Sequence, residues 1–323
     1  MATSKNDLDI SVLIATYNRA EILRQTLQSM TKLNRDGLSV EFVVVDNNSS
    51  DHTKEVIESF TDRLPIRYLF ESRPGKNCAL NKALNEVPLG RLVAFTDDDV
   101  EPKKDWLKVI ITVTNRWPDY SVFGGKILPL WPHQKLPPWI EKLIESGGVL
   151  PIHDHGNFEM PFPSQTFPAG ANLWVRSQIL TNRRFDEQFG PCPKSRLMGS
   201  ETSFIKKLED DGYRALYCPD AVVVHYFPAE SLSLSAIKKR AYRAGRTAPH
   251  LWGLKPKELY EKHRFLWWLW RTLALTKNLF AYIIAKLSFY RDKRIIRSLK
   301  ALSGIAYNIE SLKIAYKNSS LKR

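Results

Sequence analysis

Three consecutive carboxylates, Asp97-Asp98-Asp99, stand directly after the apolar run Leu92-Val93-Ala94-Phe95-Thr96. Adjacent like charges repel, so packing gives no reason to end a strand this way. A hard divalent cation does. On extended backbone, residues two apart point to the same side, so Asp97 and Asp99 can face one ion. Carboxylate oxygens suit Mn²⁺ or Mg²⁺. A solvated acidic turn explains an isolated Asp triplet equally well, and the elements around the triplet must separate the two readings.

Those elements read as an alternation. Residues 10–15 are apolar and are broken by Thr16-Tyr17-Asn18-Arg19. Residues 20–33 show helical spacing through Ile22, Leu23, Leu27 and Met30. A second apolar strand over 40–45 runs into Asp46-Asn47-Asn48-Ser49-Ser50-Asp51, a cap-rich turn before a helix over 53–60. A third strand over 66–70, a helix from Gly75 to Asn85 and a fourth strand over 92–96 follow. Strand–helix alternation with continuously apolar strands predicts an α/β fold, with a parallel sheet covered on both faces. Ligands of such sheets sit beyond the carboxyl ends of the strands, where Ala15-Thr16, Asp46-Asn47 and Asp97–Asp99 all fall. Further on, 106–117 reads as a helix, 122–127 as a strand and 130–166, rich in Pro, Gly, His and Trp, as a long shaped loop. A strand over 167–176, a helix from Gly199 to about Asp210 and a last clear strand over 221–225 complete the pattern.

The charge of +14 on 323 residues is unevenly placed. Residues 229–323 carry 21 Lys and Arg against 5 Asp and Glu, while the remainder carries 27 against 29. A near-neutral body argues against nucleic-acid binding, and a basic tail suits an anionic surface. Cys78, Cys192 and Cys218 show no paired or metal-like spacing, which reads as reduced thiols in a cytosolic setting. Residues 1–9 are polar, without the apolar core of a secretion signal.

The order of motifs resembles the family 2 glycosyltransferases with a GT-A fold, over about residues 9–228. The pieces are Ala15-Thr16-Tyr17-Asn18, Val45-Asp46-Asn47-Asn48-Ser49, Gly75-Lys76-Asn77-Cys78-Ala79-Leu80-Asn81, Thr96-Asp97-Asp98-Asp99, Gly170-Ala171-Asn172, Gly199-Ser200-Glu201-Thr202 and Val224-His225. Each is weak alone, and their order at strand and helix ends carries the resemblance. It implies a nucleotide site made of Ala15, Thr16, Tyr17, Asn18, Asp46, Asn47, Lys76, Asp97 and Asp98, with Thr16 and Asp46 toward base and ribose. Asn47 stands where many members have a second Asp. The resemblance also implies metal ligation by Asp97, Asp99 and His225. Glu201 matches the catalytic base, although the usual Glu-Asp is Ser200-Glu201 here. Gly170, Ala171 and Asn172 match the segment near donor sugar and acceptor.

The chemistry calls for these types. A nucleoside diphosphate leaving group needs a cation, and an attacking hydroxyl must lose its proton to a positioned carboxylate. One base opposite the leaving group implies direct displacement with inversion. Trp131, with Trp139, His153 and His155, reads as an acceptor wall, and His153-x-His155 as a weaker metal candidate. The expected donor is a UDP- or dTDP-sugar, and the expected acceptor a glycan or lipid-linked hydroxyl in polysaccharide biosynthesis. A polyprenyl-phosphate sugar synthase, a nucleotidyltransferase and a non-catalytic sugar-nucleotide-binding protein are the alternatives.

The tail over 265–290 is apolar but carries Arg271, Lys277 and Lys286. Its longest uncharged run, residues 278–285, is well short of the roughly 20 residues that span a bilayer. At about 100° per residue the charges fall on one half of the wheel. Phe265, Leu269, Leu273, Phe280, Ile283, Ile284 and Leu287 fall on the other. A basic amphipathic helix with Trp267, Trp268 and Trp270 suits the surface of an anionic membrane. Packing on the catalytic domain or on a second copy, as a homo-oligomer, is the alternative. The expected division is a catalytic domain over 1–228, with nucleotide-sugar binding in 9–127 and the acceptor side in 128–228, followed by a basic helical tail over 229–323. The expected location is cytoplasmic, peripheral on the inner face of the cell membrane.

Overall fold

The computed structural model describes residues 8–132, 136–145, 150–163, 166–192 and 197–320, so most of the stretch read for a secretion signal lies outside the described residues. The first half follows the alternation: β1 (Ile10–Thr16), α1 (Ala20–Met30), β2 (Val40–Asp46), α2 (Thr53–Glu58), β3 (Ile66–Phe70), α3 (Lys76–Glu86) and β4 (Leu92–Thr96). Then come β5 (Val100–Pro102), α4 (Trp106–Arg116), β6 (Val122–Leu130), α5 (Pro138–Glu145), β7 (Met160–Pro161), β8 (Leu173–Arg176), α6 (Ser200–Asp210) and β9 (Ala215–Tyr226). Four further helices close the chain: α7 (Leu234–Trp252), α8 (Lys257–Lys262), α9 (Arg264–Lys286) and α10 (Arg291–Ser320).

The strands form one sheet in the order β3-β2-β1-β4-β8-β6-β9-β5, with β7 on β9. β1 to β4 are mutually parallel, as the alternation predicts. The later strands are not: β8 runs antiparallel to both β4 and β6, and β5 antiparallel to β9. The parallel sheet read from the first four strands holds for them, and the later strands make the whole sheet mixed. Only the βαβ repeats of the first half carry the local signal for parallel pairing.

Alternate residues of each central strand enter opposite cores, as the two-residue period of a strand requires. Val12, Ile14, Phe42, Val44, Leu92 and Ala94 pack with α1, α2 and α4 on one face. Leu13, Val43, Val45, Val93 and Phe95 pack with α3 and α6 on the other. Burial on both sides explains why these strands are continuously apolar. The register sets Thr16 beside Asp46 and Ile14 beside Thr96, so the three strands end at one edge.

Several elements differ from the sequence expectation: α5 and β7 lie within the span read as a loop over 130–166, and the strand read over 167–176 begins only at Leu173, after a short turn at Gly170–Asn172. β5 follows the acidic triplet at once, where no strand was predicted. β9 begins at Ala215, not at 221, because its ladder with β6 skips from Cys218 to Val222. Pro219 cannot donate to a ladder, and the chain bulges there. The amide of Asn172 enters this irregularity, donating to Lys126 O (2.9 Å) and Ala221 O (2.7 Å). A Cβ on Gly125 would collide with both Ala221 O and that amide, so glycine is required.

The chain divides into two compact units. One holds the sheet and spans 1–130, Pro151–Ser195 and Ser200–Tyr226. The other holds Trp131–Leu150, Arg196–Gly199 and Phe227–Arg323. Segment 131–150 thus groups with the tail and not with the body to which the linear division assigned it. Within the second unit α10 packs against α5, α7 and α9. Gly245 and Gly304 allow close approach there: a Cβ on the first would lie 2.1 Å from Ser303 O, and on the second 2.6 Å from Asn278 Oδ1.

No helix among the described residues is long and apolar enough to cross a membrane. The two faces of α9 are distributed differently from those of a globular helix. Arg271 is buried, donating to Asn308 Oδ1 (2.9 Å) beneath the rings of Trp267, Trp270 and Tyr307. Phe265, Leu269, Leu273, Phe280, Ile283, Ile284 and Leu287 are all exposed.

Candidate active site

β4 ends at Thr96, whose hydroxyl donates to Ala171 O (2.8 Å), tying the strand tip to the Gly170–Asn172 turn. The three Asp residues follow and separate by direction. Asp98 points into the body of the protein. Its carboxylate accepts from Thr16 Oγ1 (2.8 Å) and Arg19 Nη1 (2.6 Å). Its backbone oxygen accepts from Thr26 Oγ1 (2.8 Å), which also receives Val100 N (3.2 Å).

Asp98 and Asp99 form a turn between β4 and β5, not the extended backbone expected, and Arg19 Nη2 also donates to Asp99 Oδ2 (2.7 Å). β5 then pairs with β9 so that Val100 lies opposite His225, and Tyr226 N donates to Asp99 O (2.9 Å). This pairing delivers His225 Nε2 to within 3.2 Å of Asp99 Oδ1. One ligand atom from each of Asp97, Asp99 and His225 falls within a 4.8 Å cluster. Asp99 Oδ1 is buried and accepts no hydrogen bond. Two carboxylates and an imidazole converging on such an oxygen fit a hard divalent cation.

Lys76, the first residue of α3, reaches in from the opposite face of the sheet. Its Nζ lies 2.6 Å from Asp97 Oδ1 and 2.8 Å from Glu201 Oε1. Glu201, in the first turn of α6, rests on Gly170: a Cβ there would lie 2.2 Å from Glu201 Oε1. A side chain at residue 170 would therefore displace the Glu201 carboxylate. Ser200 Oγ donates to Asn77 Oδ1, and Asn77 Nδ2 to Asp186 O (2.7 Å), which fixes the starts of α3 and α6 together.

Arg19 and Lys76 bring two positive charges to four carboxylates. Burial alone would lower the Lys76 ammonium, but the charges of Asp97 and Glu201 outweigh it and raise its pKa. Burial likewise opposes the charged form of Arg19, and Asp98 and Asp99 reverse that to a rise. Asp97 is lowered: burial pushes it up, and Lys76 and His225 pull it further down. Asp98 is pushed up to about 7, by burial first and by Asp99 and Asp97 beside it, against the pull of Arg19. The pocket holds excess negative charge at the place where a cation would reside.

The residues expected around the nucleotide take several positions. Asp46 is buried; its Oδ1 accepts from Ser49 N (2.9 Å), and Tyr68 OH donates to its Oδ2 (3.4 Å). Burial first and then Asp46 raise the Tyr68 phenol to about 12. Ala15 and Thr16 are the last residues of β1, and Tyr17 is exposed. Asn18, at φ 50°, accepts from Ser50 N (2.7 Å) and links the loops after β1 and β2. Asn47 is turned inward: its amide donates to Glu71 O and Arg73 O and accepts from Gly75 N, holding the loop that presents Lys76. Asn172 is also turned inward, its oxygen accepting from Trp106 Nε1 (2.9 Å), which differs from a position facing donor sugar. Trp131 belongs to the second unit, 5.0 Å from the Phe227 ring. Arg19 was not expected; a basic residue three places after a strand tip that faces an acidic triplet was its available signal.

Residues 11–128 match the family described as Glycosyl transferase family 2. Over those residues the chain carries a family 2 glycosyltransferase domain. Among relatives of this glycosyltransferase, the succinoglycan biosynthesis protein ExoM of Rhizobium meliloti is 25% identical over 87% of this chain and 85% of its own. The GalNAc(5)-diNAcBac-PP-undecaprenol beta-1,3-glucosyltransferase of Campylobacter jejuni is 26% identical over 72% of this chain and 70% of its own. In fold, the chain is similar to a mannosyltransferase from Pyrobaculum calidifontis solved with GDP-Man and Mn²⁺. That similarity has a TM-score of 0.57 at 17% identity, over 96% of this chain and 90% of that one. The architecture is the GT-A fold.

Proposed function

We propose that this enzyme is a divalent-metal-dependent, inverting transferase that moves a sugar from a nucleoside diphosphate to a hydroxyl of a glycan or lipid-linked acceptor. The observation that carries the reading is the meeting of two groups at one strand tip. Asp97, Asp99 and His225 form a cation-sized cluster, and Glu201 stands one lysine away from it. Asp97, Asp99 and His225 would hold Mn²⁺ or Mg²⁺, which supplies Lewis-acid stabilisation of the departing diphosphate.

The chain's own groups do the rest. Thr16 and Arg19 hold Asp98 and thereby the direction of its neighbours. Asp46 and the loops joined by Asn18 offer the surface for base and ribose. Lys76 bridges Asp97 and Glu201 and offsets one of their two charges. When an anionic donor enters, its phosphate oxygens compete for that ammonium, and Glu201 is released to accept the acceptor's proton. A single carboxylate in that role favours direct displacement. An acceptor hydroxyl that must be deprotonated, unlike an already ionised phosphate, gives Glu201 a purpose. The similarity to enzymes named for succinoglycan and for an undecaprenol diphosphate glycan supports a polysaccharide or lipid-linked acceptor.

The exposed apolar row of α9, with Lys277 and Lys286 on the same exposed helix, supports a second element of the reading. The tail docks on an anionic membrane from the cytoplasmic side.

The deciding experiment is a panel of UDP-, dTDP- and GDP-sugars tested for Mn²⁺-dependent turnover on the wild type, Asp99→Ala and Glu201→Gln. The expected result is turnover of one donor, lost in Asp99→Ala. Glu201→Gln should keep donor binding and lose transfer by roughly 10²–10⁴-fold. Turnover independent of added or bound metal would overturn the metal assignment. Unchanged transfer by Glu201→Gln would remove Glu201 as the base.

A further inference from the structure

Two of the three free cysteines approach each other beside Lys76, although 114 positions separate them in the chain. Cys78 lies in the first turn of α3, and Cys192 follows the loop that packs on that turn. Both thiols donate to one atom, Pro74 O, at 3.8 Å from Cys78 Sγ and 3.4 Å from Cys192 Sγ. The residue between that carbonyl and Lys76 is Gly75, at φ 136°. The position its missing Cβ would occupy lies 3.5 Å from Cys78 Sγ, 3.9 Å from Cys192 Sγ and 3.8 Å from Cys192 Cβ. The two sulfurs thus border one small space that a glycine leaves open. The loop of Cys192 is already joined to α3 by the bond from Lys76 N to Pro191 O (3.1 Å).

We propose that Cys78 and Cys192 form a reversible dithiol–disulfide pair, oxidised by a peroxide, that locks the loop at 191–192 onto the start of α3 beside Lys76. In the first step the Cys192 sulfur attacks one peroxide oxygen. The O–O bond breaks, a water leaves, and Cys192 carries a sulfenic hydroxyl. In the second the Cys78 sulfur attacks Cys192 Sγ, the S–S bond forms, and the hydroxyl departs with the remaining proton as a second water. The two sulfurs give up two electrons in all, and the peroxide accepts them.

The order of attack follows from exposure: Cys192 is half-buried, whereas Cys78 is buried. Burial raises the Cys78 thiol to about 11, so the second step accelerates with rising pH. Cys218 is wholly buried in β9, with its thiol raised by burial, and serves as an internal control.

The consequence for turnover rests on the reading of Lys76 given under Proposed function. The cross-link holds the backbone of Lys76 where its ammonium bridges Asp97 and Glu201, so a donor meets a fixed lysine and the oxidised enzyme is slower.

The test treats the full-length reduced protein with hydrogen peroxide and follows intact mass and peptide maps. The expected product has lost two hydrogens and contains one peptide joining residues 78 and 192, and dithiothreitol reverses it. Cys218→Ser should form it and Cys192→Ser should not. Oxygen addition without cross-linking, or linkage only between separate chains, would overturn the pair. Donor turnover before and after oxidation is the second readout. A fall restored by dithiothreitol supports the lock on Lys76. A cross-linked enzyme of undiminished rate would overturn that lock, and the mass result stands apart from whether the transferase reading holds.

Discussion

Asp98 faces inward to Thr16 and Arg19 while its two neighbours keep oxygens toward His225, so a single charged triplet serves two purposes. Removing Arg19 would leave two largely buried carboxylates without their cation. Arg19→Ala is expected to destabilise the fold by about 2 kcal/mol, less than a fully buried pair because the guanidinium is one-third exposed. It should also weaken Mn²⁺ binding, and denaturant unfolding with metal titration by calorimetry checks both. Gly170→Ala places a methyl inside the space of the Glu201 carboxylate. A displacement of about 1 Å can cost on the order of 10²-fold in rate, and that loss is expected with donor affinity nearly unchanged, read from kcat against KM. His153 provides a pH prediction at the same scale. Burial first, and His155 beside it, lower its pKa to about 4, below the unfolded value. Protons therefore bind the unfolded chain more tightly, and stability present above about pH 6.5 is lost as pH falls toward 4. The loss is on the order of 3 kcal/mol, and His153→Gln should flatten that limb of stability against pH. The identity and spacing of Asp97 and Asp99 were legible in the chain. The partner of Arg19 was not, because the entry of α1 decides where a guanidinium at the strand tip points.

Element β5 has only three residues, yet it carries His225 to the acidic triplet. Its pairing is non-local, and a run of Val-Glu-Pro has no periodicity to announce it. The start of α1 depends likewise on a distant residue. Asp51, in the loop after β2, accepts from Ala20 N (3.1 Å) while its other oxygen accepts from Thr53 N (3.2 Å) at the start of α2. Asp51→Ala removes acceptors from two helix starts, and a loss of about 1 kcal/mol per cap is expected, measured by thermal unfolding. Since both helices follow site-bearing strands, the same substitution should raise KM for the donor before it lowers kcat. The bulge of β9 shows why Asn172 reads differently in the chain and in the fold. Its residue type suits sugar recognition, but the skipped register opens two carbonyls that its amide fills.

At the scale of the whole molecule, basic charge and exposed apolar surface fall in the same part of the chain. The basic excess lies in residues 229–323, and α9 in that region keeps its apolar half outward while burying Arg271. Binding to vesicles containing anionic lipid is expected to weaken as salt rises through 0.15 M, where the screening length is about 8 Å. Leu273→Asp with Phe280→Asp should abolish it while leaving donor turnover in solution intact. Sedimentation with vesicles of neutral and anionic composition is the measurement, and retention of binding by the double variant would exclude α9 as the contact. The chain by itself determined the βαβ half, the strand tips that carry Thr16, Asp46 and Asp97–Asp99, and the amphipathic division of the tail, because each is written in local spacing. Tertiary structure alone decided which half of α9 faces out, which cations meet which carboxylates, and how His225, Lys76 and Glu201 converge. These depend on pairings between residues tens to more than a hundred positions apart, and no local period encodes the partner of a strand end.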